Sequence, residues 1–150
     1  PGLIGWQAKA GGGTTDYAVN IFHEAIQKEK YESFLKKDTA LPMMYMSDAI
    51  LATIQIMESP IEKIKIRSSY NLSGVTFSPE EIALEIRKYI PDFKISYSPD
   101  FRQKIADSWP ESIDDSDARN DWGWEPKYNL EKICSEMICN LKSKYNPISS

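Results

Sequence analysis

Apolar residues along the chain alternate between helical and extended spacing. Ala18, Phe22 and Ala25 recur at helical intervals, and Ile21 and Ile26 widen the stripe. This predicts a helix capped by Thr14 or Thr15 and running to about Lys30. Ahead of it, residues 1–6 read as the end of a strand entering a loop, and Gly11-Gly12-Gly13 offers no side chains to pack. Residues 31–35 and 42–46 read as short strands. Ser47-Asp48 opens a second helix with Ile50, Ile54 and Met57 on one face. Ser59-Pro60 ends it, because a residue before proline is pushed out of the helical region.

Residues 69–72 read as a strand closed by Ser73-Gly74. In Ser78-Pro79-Glu80-Glu81, Ser78 suits a cap, Pro79 the first helical position, and Glu81 completes a capping box. Ile82, Ile86 and Tyr89 or Ile90 form that helix's stripe, and Pro91 stops it. Residues 93–97 alternate as a strand. Residues 114–122 read as a short helix ended by a left-handed Gly123, with Trp124 folding back and Pro126 forbidding continuation. Asn129 caps a last helix, with Leu130, Ile133, Met137, Ile138 and Leu141 on its core face, and residues 143–150 are expected to fray. Helices alternating with short strands argue for an α/β fold.

A length of 150 residues is room for one domain. Hydrophobic residues at 41% and charged ones at 27% are ordinary globular composition. A net charge of −4 argues against a nucleic-acid footprint and against attraction to anionic lipid. No apolar run approaches the roughly 20 residues of a membrane span. Cys134 and Cys139 lie five apart on one predicted helix, on different faces, too far apart to bridge. With a single histidine, His23, no zinc set is assembled, and no metal is expected.

The glycine loop holds the candidate chemistry. Three glycines let backbone N–H groups approach a ligand, and a following helix N-terminus favours an anion. Thr14 and Thr15 add hydroxyls, and Asp16 adds a carboxylate suited to an ammonium group. Together they fit a zwitterionic amino acid; the alternative is that they only cap the helix. Trp109, in a loop between elements, is either a core plug or a pocket wall. Met43, Met44 and Met46 read as core filling. Glycine spacing gives no dinucleotide fingerprint, and no catalytic residue is assigned; Tyr31 and Tyr45 are followed four positions on by Leu35 and Ala49.

Several further segments belong together. Residues 115–126, DSDARNDWGWEP, resemble the C-terminal signature of the extended short-chain dehydrogenases. Met46-Ser47-Asp48-Ala49-Ile50 and Tyr70-Asn71-Leu72-Ser73 are similar to two more of their segments, and Pro1-Gly2 resembles the turn after their catalytic helix. Residues 11–18 (GGGTTDYA), 41–46 (LPMMYM) and 99–110 (PDFRQKIADSWP) narrow the resemblance to the L-threonine 3-dehydrogenase family.

The resemblance implies a C-terminal substrate-binding lobe with a remnant of the Rossmann sheet. Residues 1–12 would end the nucleotide-binding domain, and residues 13–142 would form the lobe. It implies NAD against Pro1, Gly2, Leu3 and Ile4, and L-threonine held by Thr14, Thr15 and Asp16 and enclosed by Trp109. The family's glycine loop, its Ser/Thr and its Tyr-x-x-x-Lys would lie upstream of Pro1, so this chain alone is expected to bind NAD poorly and to be inactive. A homodimer is expected for the longer parent, through helices not in this chain. A mitochondrial location is expected in animals and a cytoplasmic one elsewhere. Two alternatives remain: the lobe of a nucleotide-sugar epimerase or dehydratase, for whose diphosphate Arg102 and Arg119 are available, and a non-catalytic truncated interaction module.

Overall fold

The computed structural model describes residues 1–145. A three-stranded sheet, ordered β1 (Gly2–Ile4), β3 (Leu41–Tyr45) and β4 (Val75–Phe77), is parallel between β1 and β3 and antiparallel between β3 and β4. A separate parallel pair joins β2 (Lys30–Ser33) to β5 (Lys94–Tyr97). Among the described residues, six α-helices complete the α/β fold: α1 (Tyr17–Lys28), α2 (Met46–Glu58), α3 (Pro79–Arg87), α4 (Phe101–Ala106), α5 (Ser116–Trp122) and α6 (Leu130–Tyr145). None of the described helices is long and apolar enough to cross a membrane.

Local chemistry fixes several boundaries as expected. Ser78 Oγ accepts from the Glu81 N–H while Glu81 Oε2 accepts from the Ser78 N–H, a complete capping box at the start of α3. Gly123 closes α5 at φ 76°, and the Trp124 N–H turns back to the Ala118 carbonyl. The Asn129 side chain accepts from the Lys132 N–H at the head of α6.

The larger apolar core unites α1, α3 and α6 over β1, β3 and β4, with Phe22, Phe77, Ile86 and Met137 among its members. A smaller one gathers Trp122, Trp124, Ala118, Ala52 and Met44. Strand β3 serves both, because successive side chains point to opposite faces: Met43 joins the first and Met44 the second.

Several expectations are corrected. Residues 69–72, expected as an edge strand meant to join a nucleotide-binding sheet outside this chain, form no strand here; the third strand of the described sheet is β4, a few residues on, paired with β3 and not expected from the sequence. Ile50, Ile54 and Met57 are 55%, 46% and 80% exposed, so the stripe of α2 is not a core face here; Ala52 is its buried contact. The last helix continues through Ser143 to Tyr145, because Leu141 and Tyr145 pack on the main core; residues 146–150 of the expected fray lie outside the described residues. Helix α4 was unforeseen; Asp100 caps it by accepting from the Arg102 N–H. Cys134 is buried, and burial pushes its thiol well above the usual range, whereas Cys139 is exposed.

Candidate active site

A cavity of about 280 Å³ opens where three chain segments meet: Pro1 and Gly2 at the start of β1, Thr15 in the turn before α1, and Trp109, Pro110 and Ile113 in the loop between α4 and α5. Pro42 of β3 completes the wall. Parallel pairing sets Gly2 opposite Met43, which brings Pro1 and Pro42 to the same end of the sheet. The α4–α5 loop is held over them at two points. The Trp109 N–H donates to the Ala106 carbonyl, and Thr76 Oγ1 donates to the Glu111 carbonyl at 3.2 Å. Trp109 remains 43% exposed, so it is a wall and not a core plug. The slot is mostly apolar, and Thr15 is its one lining residue that carries a hydroxyl.

Of the residues expected to hold an amino acid, the structure brings Thr15 and Trp109 together and separates the others. Thr14 is buried beneath the turn and does not line the slot. Asp16 faces a different hollow, of about 300 Å³, shared with Leu3, Lys9 and Met46. Its Oδ2 accepts from the N–H groups of Gly12 and Gly13 at 2.6 and 2.7 Å. The reach-back cap therefore comes from Asp16, not from a threonine. Asp16, expected to grip an amino acid together with Trp109, lies apart from it here, and the Gly12 and Gly13 amides expected to meet a ligand's carboxylate meet that of Asp16.

The residues expected against a cofactor also divide. Pro1 and Gly2 line the slot, and Leu3 turns to the Asp16 side. Ile4, also expected against a cofactor, is wholly buried in the main core and lines neither hollow.

Residues beyond those expected take defined roles. Asp48, predicted only to start α2, is buried and accepts from the Lys127 and Tyr128 N–H groups nearly 80 positions away. That clamp holds Tyr128 stacked on Tyr45, with ring centroids 4.4 Å apart. Burial pushes the Tyr45 hydroxyl up to about 12. Tyr128 and Lys132 do have the Tyr-x-x-x-Lys spacing. Their geometry does not suit proton transfer. The Lys132 ammonium lies 4.0 Å from the centre of the Tyr128 ring, over its face, and donates to the Lys127 carbonyl. The pair borders another hollow of about 640 Å³, lined by Tyr89, Asn129 and Ser135 and by none of the Trp109 slot's residues.

The two guanidiniums open to a diphosphate are already engaged. Arg102 is paired with Asp100 and stacked 3.3 Å over the Phe34 ring, and Arg119 is paired with Asp115. Among the described residues, no three His, Cys, Asp or Glu side chains are grouped to hold a metal ion.

No protein-family model matches the chain. It is 48% identical to the mitochondrial L-threonine 3-dehydrogenase of Bos taurus over 139 residues, which are 92% of this chain and 37% of that protein. It is also 48% identical to an uncharacterized epimerase/dehydratase of Staphylococcus haemolyticus, over 96% of this chain and 46% of that one. The GalE-like L-threonine dehydrogenase from Cupriavidus necator superposes with a TM-score of 0.92 at 56% identity, over 95% of this chain and 51% of its own. The L-threonine dehydrogenase from Phytophthora infestans gives 0.93 at 48% identity, over 96% and 47%. An NAD-dependent NDP-hexosamine 5,6-dehydratase, at 10% identity and a TM-score of 0.72, shares the fold alone. The chain thus spans about half the length of the relatives it matches, or less. These matches bear out the resemblance drawn from the glycine loop, the β3 segment and the Trp109 segment.

Proposed function

We propose that this chain is the substrate-binding portion of an NAD-dependent L-threonine 3-dehydrogenase of the extended short-chain kind, with residues 1–12 ending the nucleotide-binding unit and residues 13–142 forming the lobe. The observation that carries the reading is the slot in which Pro1, Gly2, Thr15 and Trp109 converge, in a chain 48–56% identical to proteins of that name.

Threonine fits the slot's chemistry. Its β-methyl finds apolar walls in Pro42, Pro110 and Ile113, and its polar head finds the Thr15 hydroxyl. Trp109 covers the mouth and limits water. Asp16 acts at one remove, holding the glycine loop that carries Thr15. Pro1 and Gly2 fit the edge of a flat nicotinamide, since neither projects a long side chain into the slot. Held against Pro1 and Gly2, NAD would supply the hydride acceptor for oxidation of the substrate's Cβ alcohol to the ketone of 2-amino-3-ketobutyrate. The groups that move the hydroxyl proton are assigned to the part of the longer protein outside this chain, since Tyr128 and Lys132 are remote from the slot. The isolated chain is therefore inactive and binds NAD weakly or not at all. The longer protein is a homodimer, mitochondrial in animals and cytoplasmic elsewhere.

The engagement of Arg102 and Arg119 by carboxylates weighs against a sugar-nucleotide site. An NMR titration of the Trp109 indole N–H tests the choice. L-Threonine shifts the signal and a UDP-sugar does not. A response to the UDP-sugar, with none to tens of millimolar L-threonine, overturns the proposal.

A further inference from the structure

We infer that Gly2 is a positioning residue, bare so that Thr15 can stand against β1 and present its hydroxyl to the slot. A Cβ built on Gly2 would lie 2.6 Å from Thr15 Cβ, 2.7 Å from Thr15 Cγ2 and 2.7 Å from Met43 Sδ. Carbon atoms in comfortable contact stand roughly 3.5–4.0 Å apart.

The neighbours do not yield equally. Met43 Sδ sits far along an unbranched side chain and escapes by changing rotamer. Thr15 Cβ is bonded directly to the backbone, so clearing it moves the whole turn of Thr14–Asp16, by about 1 Å if normal contact is restored. That turn has little slack, because Thr14 is buried below it and Asp16 is tied to the Gly12 and Gly13 amides.

Backbone shape gives no other reason for glycine here. Gly2 is extended and paired in register with Met43, and the glycines with positive φ are Gly12 and Gly123. Its freedom from a side chain therefore serves closeness, and the closeness is to Cβ and Cγ2 of Thr15, the slot's one hydroxyl-bearing lining residue. Gly74 is a natural control. A Cβ there would lie 2.5 Å from the Met43 carbonyl oxygen and 2.9 Å from Met44 Cα, as crowded and against the same strand, yet Gly74 does not line this slot. The consequence for substrate rests on the proposed function; the packing relation does not.

The test uses the full chain. In Gly2→Ala, the Thr15 methyl and Trp109 indole NMR signals shift, and the L-threonine concentration that half-saturates the Trp109 response rises about tenfold or more. Gly74→Ala lowers stability and leaves both signals in place. Unmoved Thr15 and Trp109 signals in Gly2→Ala overturn the inference, as does an equal displacement by Gly74→Ala. If the parent chain ignores L-threonine while Gly2→Ala still displaces Thr15, the substrate assignment fails and the positioning role stands. Should Gly2→Ala not fold, Gly2→Ala/Thr15→Gly decides: recovery of the fold identifies the Thr15 contact as the obstacle, and continued failure rejects it.

Discussion

Replacing Asp48 by alanine removes the acceptor that joins the start of α2 to the turn before α6. The carboxylate is 1% exposed and takes two N–H groups, that of Lys127 at 3.0 and 3.1 Å and that of Tyr128 at 3.0 Å. A hydrogen bond to a charged partner contributes about 1.5–3 kcal/mol, so the pair has a ceiling of about 6 kcal/mol. Lys127 is exposed and Tyr128 half-buried, so water recovers part of what the orphaned amides lose. The expected destabilisation is about 3 kcal/mol, or roughly 6–12 °C in melting temperature for a domain of this size. Asp48→Asn keeps one acceptor oxygen and the shape, so it loses about half as much. Urea unfolding followed by circular dichroism gives both values, and hydrogen exchange reads the two amides directly. A loss below about 1 kcal/mol in Asp48→Ala, or unchanged protection of Lys127 and Tyr128, would refute the clamp.

Three further outcomes are expected. His23 is held below its ordinary range, first by burial and then by Lys144 and Lys9, against Glu24; Tyr145 lies 2.6 Å from its Nδ1. Since the unfolded chain takes up that proton first, His23 contributes stability that is complete above about pH 6.5 and lost as pH falls toward its lowered folded value. Urea unfolding of His23→Phe should show a shallower acid loss than the parent, and equal slopes would exclude the effect. Gly123→Ala places a Cβ at φ 76° and should cost about 1 kcal/mol in the same assay, with no loss counting against the left-handed cap. Ile54→Gln and Met57→Gln should change stability by less than about 0.5 kcal/mol, whereas Ala52→Leu, buried on the same helix, should cost about 1–3 kcal/mol; the reverse ranking would mean that α2 faces the other way.

What was legible in the sequence depended on how far apart the interacting groups lie. The Ser78–Glu81 box, the Gly123–Trp124 reversal and the Asn129 cap are contacts within one turn, so residue types at fixed offsets announce them. Asp48 carried the same local cue but spends its oxygens on residues 127 and 128, a choice invisible without the tertiary fold. The segment near position 70 forms no strand in this chain for a related reason. Tyr70 and Leu72 have strand-like side chains, but only residues 75–77 have a partner strand, and pairing decides. The stripe on α2 shows that helical periodicity marks an apolar face without saying that this chain covers it.

At the site, sequence proximity was a poor guide within three residues. The turn sends Thr14 inward, Thr15 to the slot and Asp16 to the opposite hollow. Trp109, more than 90 positions from Thr15, could be joined to it before the structure only through the family resemblance.

The division of β3 between two apolar groups has a mechanical meaning. Pro42 and Met44 project on one side of the same ribbon, about 7 Å apart, one bounding the slot and the other seated among the tryptophans. A ligand in the slot would meet Pro42, two residues along the strand from Met44, so in Trp109→Phe, which removes the slot's own indole, the fluorescence of Trp122 and Trp124 reads whether occupancy is felt at that cluster.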